Sequence, residues 1–138
     1  MRDDRHDECV RTEQQQAGDA AEDLVAARLA GQGWTILARK VRAGRGELDL
    51  IAVDPGPPPT LVIVEVRWRA GRAFGLAEET VAFRKRTHLR AAIGRLLEDG
   101  LPGGVALPVL PLRIDLVVVE PALIEGDPAR IRHHRAAV

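Results

Sequence analysis

Two apolar runs decide the fold of this chain: GELDLI at residues 46–51 and LVIVEVR at residues 61–67. A β-strand turns successive side chains to opposite faces, so Glu65 and Arg67 share one face of the second run. If the two runs pair as neighbouring strands, the carboxyl groups of Asp49 and Glu65 can meet beside a fixed positive charge. Two close carboxylates suit a divalent metal better than an apolar core, so the pattern indicates phosphodiester chemistry.

The composition is that of one globular domain. The chain has 138 residues, 46% of them hydrophobic and only 3% aromatic, so aliphatic side chains must fill its core. No apolar stretch approaches the length that spans a bilayer, and the first residues are too charged for a signal peptide. The single cysteine, Cys9, allows neither an intrachain disulfide framework nor a Cys-rich zinc site. We therefore expect a cytoplasmic protein with no membrane partner.

Charge is unevenly distributed on a chain whose net charge is zero. Residues 1–23 hold eight acids and three bases, whereas residues 39–95 hold twelve bases and six acids. A neutral total lowers the expectation of non-specific nucleic-acid binding, but bases that converge would make a local positive surface. On that hypothesis Arg45, Arg69 and Arg72 are the predicted nucleic-acid contacts. The alternative is a set of scattered, solvated arginines.

Hydrophobic periodicity predicts an α/β fold. Residues 1–16 are predicted to be a disordered polar tail, and residues 17–138 a single domain. The third strand is apolar on both faces and should be central in a mixed sheet flanked by helices. The predicted elements are a helix over 17–30, strands over 34–40, 47–53 and 60–67, a helix over 78–97 and a strand over 112–120, with the remainder irregular.

Polar residues within these elements give further expectations. Lys85 falls inside the apolar stripe of the second helix, so it must either extend to solvent or meet an acid or a phosphate. Arg113 and Asp115 share a strand face and could pair with each other or with the second helix, and a structural role is predicted for both. His133 and His134 lack metal-ligand spacing and are predicted to lie at the surface.

The ordered set of motifs resembles the uncharacterised YraN-like family of bacterial proteins, which is related to Holliday junction resolvases. That family belongs to the restriction-endonuclease-like superfamily, whose core has the order α-β-β-β-α-β. The similarity extends from Gly18 to nearly the end of the chain. It is carried by Gly18, Glu22, residues 46–51, residues 64–69, Phe74, Gly75, Lys85 and residues 113–115.

The resemblance implies a metal-dependent endonuclease site. Asp49 and Glu65 would bind Mg²⁺ or Mn²⁺ with the carbonyl of Val66 as a third donor, and Glu22 would be an outer acidic partner. Such hard oxygen ligands suit magnesium, and a metal-bound water could attack phosphorus. The substrate would be nucleic acid, with DNA favoured. Because related resolvases act as dimers, a homodimer is also expected.

One position departs from the family pattern. Where the family has lysine after Glu-Val, this chain has Arg67. A lysine can lose its proton in a buried cationic setting, whereas a guanidinium stays charged at any working pH. Arg67 can still hold a phosphate or stabilise negative charge in the transition state, and Lys85 could supply an amine if it reaches.

Three functions follow from these observations. The first is hydrolysis of DNA by metal-activated water at Asp49 and Glu65, with Arg67 and Lys85 stabilising the phosphate. The second is a nucleic-acid-binding module that keeps the nuclease fold but has weak or lost catalysis, which Arg67 favours. The third is a protein-interaction domain in which the acids and arginines form a salt-bridge network across the sheet.

Overall fold

The computed structural model describes residues 13–44, 46–69 and 83–137. In these ranges the elements follow the order helix, three strands, helix and two strands, which confirms the predicted α/β class. They are α1 (Glu13–Gly31), β1 (Thr35–Ala43), β2 (Gly46–Asp54), β3 (Thr60–Trp68), α2 (Phe83–Asp99), β4 (Leu112–Glu120) and β5 (Arg130–His134). None of the helices within these ranges is long and apolar enough to cross a membrane.

A mixed five-stranded sheet of order β1-β2-β3-β4-β5 organises the molecule. β1, β2 and β3 are antiparallel neighbours, as expected of strands joined by short connections. β4 runs parallel to β3, after the crossover that contains α2, and β5 returns antiparallel to β4. β3 is therefore the central strand, which confirms the prediction from its apolar sequence.

The two helices pack on opposite faces of this sheet. Residues of β2 and β3 are buried in two separate clusters, one under each helix. Those of β3 alternate between the clusters, as a strand requires, whereas Leu48 and Ile51 of β2 both belong to the α2 cluster. The α1 cluster includes Ala21, Val25, Leu29, Leu50, Val62 and Val64. The α2 cluster includes Leu89, Ala92, Ile93, Leu96, Ile51, Leu61 and Ile63.

Several boundaries differ from the predicted ones. α1 begins at Glu13, so residues 13–16, predicted to belong to the disordered tail, are helical. The fifth strand was not predicted, because the RIRHH sequence of β5 offers one apolar side chain and no alternation. It forms because β4 presents an edge with which it can pair. The rest of the predicted tail and residues 78–82 of the predicted second helix lie outside the described ranges.

Candidate active site

Asp49 and Glu65 come from neighbouring strands at the point where strand pairing ends. The last ladder pair of β2 and β3 on this side is Leu50 with Val64. Asp49 and Glu65 are the next residues beyond that pair, so the ladder does not include them. β2 and β3 thus pair as the sequence predicts, and the two acids lie where the strands diverge.

The Asp49 carboxylate replaces a backbone hydrogen bond at the end of the β2–β3 ladder. Its Oδ2 accepts a hydrogen bond from the Val66 N–H at 2.8 Å. This bond satisfies a backbone donor that the end of the β2 ladder would otherwise leave unpaired. It also fixes the Asp49 side chain between the two strands. Because the N–H and C=O of one strand residue leave the backbone on the same side, we expect the Val66 carbonyl to face the same gap.

A pocket of about 340 Å³ opens at this divergence, between the sheet and α2. Three acidic side chains contribute to its wall, and α2 closes the opposite side. Glu65 is buried, Asp49 is partly buried and Glu47 is exposed at the rim. The full lining is Gly46, Glu47, Asp49, Glu65, His88, Leu89 and Ala92. We call this the acidic pocket.

A glycine allows α2 to approach this wall closely. A Cβ atom built on Gly46 would lie 3.2 Å from the Ala92 Cβ, a contact tighter than most Cβ contacts in proteins. The absence of a side chain at Gly46 therefore sets the distance between the β1–β2 hairpin and α2. That distance in turn determines the width of the acidic pocket.

The donor set of the acidic pocket fits a hard divalent cation. No group of three or more His, Cys, Asp and Glu side chains that could hold a metal ion occurs among the described residues. Magnesium does not require such a cage, because it is commonly bound through one or two carboxylates and keeps several waters. Asp49 and Glu65 would supply the two carboxylates, and the Val66 carbonyl would be a neutral oxygen donor.

Glu22 lies apart from the acidic pocket. It is buried in α1, with its carboxylate oxygens 3.6 Å from Arg39 Nη2 and 3.6 Å from Lys40 Nζ. Burial raises the pKa of Glu22 above its ordinary value, although the two cations oppose that rise. The structure thus gives Glu22 two basic partners on β1, while its predicted role as an outer partner of Asp49 and Glu65 stays a prediction.

An unusual backbone conformation creates this basic pair. Lys40 has φ of 51°, in the left-handed region that non-glycine residues rarely adopt. In a regular strand Arg39 and Lys40 would point to opposite faces, yet both contact acidic residues of α1. Lys40 Nζ donates to Asp19 at 2.6 Å, and this bond raises the pKa of Lys40. Glu47, on the rim of the acidic pocket, adds to the same electrostatic effect.

The two predicted cationic residues of β3 and its end, Arg67 and Arg69, differ in their exposure to solvent. Arg67 is partly exposed on β3, two residues beyond Glu65. Arg69 is only 8% exposed, and its Nη1 lies 3.6 Å from Glu120 Oε2. Glu120 also accepts two hydrogen bonds from Arg132, at 3.1 and 3.2 Å. Burial against a carboxylate suits a structural role for Arg69 better than a contact with nucleic acid. The predicted nucleic-acid contact of Arg69 stays a prediction.

Some of the predicted site residues lie outside what the structure describes. These are Arg45, Arg72, Phe74 and Gly75. The backbone of Lys85 is helical, one turn before the buried Leu89, but its side chain is not described. Its predicted role therefore stays a prediction.

His88 is a pocket residue that sequence reasoning missed. It is exposed on α2 and contributes to the wall of the acidic pocket. Its spacing of three residues from Lys85 and four from Ala92 placed it beside the predicted apolar stripe. Nothing in the sequence directs His88 towards Asp49 and Glu65, because that placement requires the packing of α2 on β2.

A second charged cluster lies near the opposite end of β2. Asp115 is fully buried and accepts hydrogen bonds from Arg113 Nε at 2.8 Å and from the Ala136 N–H at 3.0 Å. His133 Nε2 lies 2.8 Å from the same carboxylate. The predicted Arg113–Asp115 pair is thus confirmed, whereas His133, predicted to lie at the surface, is tied to a buried acid. The reason is that β5 pairs with β4, which sets His133 beside Asp115.

This cluster also joins β2 to β4. Arg113 Nη2 donates to Asp54 at 3.0 Å, and its guanidinium lies 5.6 Å from the centre of the Trp34 ring. Burial alone would raise the pKa of Asp54, but bonds from the Gly56 N–H and Arg113 outweigh it and lower that pKa. With its charges paired internally, the cluster is a structural network and not a second candidate site.

Comparison with known proteins identifies the family. The family described as "Uncharacterised protein family UPF0102" matches residues 21–119. A UPF0102 protein of Roseiflexus castenholzii is 40% identical over 107 residues, covering 77% of this chain and 80% of the relative. A UPF0102 protein of Symbiobacterium thermophilum is 41% identical over 115 residues, covering 83% and 87%. One of Corynebacterium efficiens is 45% identical over 106 residues, covering 77% and 84%. These matches confirm the predicted resemblance, and the chain belongs to the uncharacterised protein family UPF0102.

Proposed function

We propose that this protein processes nucleic acid, and that the acidic pocket hydrolyses phosphodiester bonds of DNA with Mg²⁺ or Mn²⁺. The observation that carries the proposal is the convergence of Asp49 and Glu65 in one pocket where β2 and β3 stop pairing. A third acid, Glu47, joins the wall of the same pocket.

In this proposal each residue of the acidic pocket has a distinct role. Asp49 and Glu65 would hold the cation, with the Val66 carbonyl as a further donor. The cation, when bound, would lower the pKa of a water molecule and offset negative charge on the phosphate oxygens. The Val66 N–H keeps the Asp49 carboxylate between the strands, so little rearrangement is needed for binding.

Arg67 and His88 divide the tasks that a single lysine performs in the family pattern. Arg67 follows Glu65 on β3 and can hold a phosphate oxygen in a bidentate manner, but its guanidinium does not accept a proton. An imidazole can donate or accept a hydrogen bond through its ring nitrogens. His88 is on the wall of the same pocket, so it can orient a water molecule there. Lys85 is the alternative source of an amine.

Arg67 also favours a second candidate function. If proton transfer in this site requires a lysine at that position, the protein binds nucleic acid without efficient cleavage. Metal binding by Asp49 and Glu65 would survive in that case, because the two carboxylates do not depend on Arg67.

Two measurements on the full chain test the proposal. Purified protein with Mg²⁺ or Mn²⁺ should nick single-stranded or branched DNA, and the same metals should raise its melting temperature. Asp49→Asn removes a ligand charge while keeping the side-chain shape, so it should abolish nicking and the metal-induced rise. Asp127→Asn makes the same change at an exposed position outside the pocket and should leave both unchanged.

The outcomes separate the two functions. Nicking that persists in Asp49→Asn would disprove the assignment of the site. A metal-induced rise without nicking would support the binding function over hydrolysis. If neither effect occurs with wild-type protein, the acidic pocket is not a metal site.

A further inference from the structure

A second cleft lies next to the acidic pocket, on the other side of the β1–β2 turn. It has a volume of about 480 Å³ and lies between the end of β1 and the C-terminal half of α2. Two arginines, Arg42 of β1 and Arg95 of α2, contribute to its wall. The remaining lining is Val41, Ala43, Gly44, Leu96, Asp99, Gly100, Leu101 and Pro102. We call this the arginine cleft.

The acidic pocket and the arginine cleft are adjacent along α2. His88 lies on the wall of the first and Arg95 on the wall of the second, and their separation of seven positions corresponds to about 10 Å of helix. The β1–β2 turn rests on α2 between them: Gly46 lies against Ala92, and a Cβ on Gly44 would be 3.6 Å from Arg95 Cγ. Gly46 lines the first cavity and Gly44 the second, so the two cavities adjoin at the end of β1 and the start of β2.

The arginine cleft carries a surplus of positive charge. Arg95 is 59% exposed, and its Nε lies 3.7 Å from Asp99, which is itself 63% exposed. Such a solvated pair is weak and does not tie up the guanidinium. Arg42 is exposed and forms no ion pair among the described residues, although the β1–β2 register sets it opposite Glu47. Two guanidinium groups therefore face one carboxylate in a wall that is otherwise apolar or glycine.

We propose that the arginine cleft binds the phosphodiester backbone of the nucleic-acid strand that enters the acidic pocket. This inference rests on the proposed function, because it takes a phosphodiester to be the ligand of the acidic pocket. Arginine binds phosphate through a planar pair of N–H donors, which suits two guanidinium groups in one open cleft. A separation of about 10 Å corresponds to about three steps of a B-form strand.

The arrangement also resolves an electrostatic difficulty. Three acids around the acidic pocket repel a polyanion unless a cation is bound. Binding energy for the substrate must then come from positive groups nearby. Arg42 and Arg95 supply it on the same side of the sheet, so strand binding in the arginine cleft does not depend on metal in the acidic pocket.

The test is a metal-free binding titration on the full chain. Fluorescence anisotropy with labelled single-stranded DNA, duplex DNA and single-stranded RNA, each in EDTA, gives Kd as a function of salt. The double variant Arg42→Ala/Arg95→Ala should weaken binding at least tenfold. It should also reduce the slope of log K against log salt by about 2, since each phosphate contact contributes a slope of about 1. The three probes determine which type of strand the cleft prefers.

A matched control isolates the position of the charge. Arg28 is exposed on α1, on the opposite face of the sheet, so Arg28→Ala removes the same charge away from the cleft. Its binding and salt slope should match wild type. Arg28, Arg42 and Arg95 are all exposed, so the melting temperatures of both variants should stay close to that of wild type. These melting temperatures are measured in parallel with binding.

The proposal fails if wild-type protein binds none of the probes. It fails equally if the double variant binds with the same Kd and salt slope as wild type, or if Arg28→Ala has the same effect as the double variant. These results are independent of the nicking assay. Failure of hydrolysis with intact, cleft-dependent binding would overturn the enzymatic function and leave the arginine cleft in place.

Discussion

Replacement of Asp115 by Asn is the perturbation whose magnitude the structure defines best. The carboxylate is fully buried and is bonded by Arg113, by the Ala136 N–H and by His133. Burial alone would raise its pKa, but the bonds from His133 and Arg113 and the backbone N–H outweigh burial. They lower the pKa of Asp115 from 3.8 to about 2.

The stabilisation follows from this difference in pKa. A fall from 3.8 to about 2 corresponds to about 2 kcal/mol at neutral pH, since one pKa unit is worth about 1.4 kcal/mol. Because the folded-state pKa is the lower one, the contribution is complete above the unfolded-state pKa. It is lost as the pH falls towards 2, and about half of it is gone at pH 3. Asn also removes one of the two carboxylates that Arg113 bonds, leaving Asp54, so the total cost at pH 7 should be about 3–5 kcal/mol.

Urea unfolding of wild type and Asp115→Asn at pH 7, 5, 4 and 3 measures this effect. The free energies of unfolding should differ by about 3–5 kcal/mol at pH 7, and the difference should narrow by about 1 kcal/mol between pH 5 and pH 3. That interval lies below the range in which histidine ordinarily titrates. Asp127→Asn, at an exposed position, should match wild type throughout.

Two results would refute the reasoning. Equal stability of wild type and Asp115→Asn at pH 7 would show that the buried carboxylate contributes nothing. A difference that stays constant from pH 5 to pH 3 would show that the hydrogen bonds do not favour the charged form.

Two further predictions concern the acidic pocket. Arg67→Lys restores an amine that can lose its proton, so the DNA-nicking rate with Mg²⁺ should rise at least tenfold, and an unchanged rate would contradict the role given to Arg67. Gly46→Ala forces a Cβ to 3.2 Å from Ala92, so α2 must shift and urea unfolding should show a loss of about 1–3 kcal/mol. Gly94→Ala on the same helix meets nothing within 4 Å and should instead gain up to about 1 kcal/mol, so equal stability of the two variants would contradict the packing argument.

Local pattern was enough to predict most of the fold. β4 was predicted at its observed bounds, and β2 and β3 to within one residue at each end, because each is a long apolar run. The central position of β3 followed from apolar side chains on both faces. β5 escaped prediction because its stability comes from pairing with β4, which leaves no periodic trace in five mostly basic residues.

The candidate site was predictable only in part. Alternation along two strands predicts that Asp49 and Glu65 share one face, and both do line one pocket. The ladder ends one residue before them, and Leu48 joins Ile51 in the α2 cluster, so alternation alone does not account for their position. His88 and Arg95 could not be assigned from sequence, because their neighbours depend on where α2 crosses the sheet. The same is true of Glu22, whose basic partners reach it through the left-handed conformation of Lys40.

The sequence by itself therefore determined how side chains alternate along the strands, and it predicted which acids stand together on β2 and β3. Tertiary structure alone decided what faces them: a helix held close by Gly46, an imidazole on the pocket wall and a pair of arginines beyond the turn. The physical reason is that alternation is a property of a single strand's backbone, whereas the approach of α2 depends on contacts between segments about 45 residues apart in the chain.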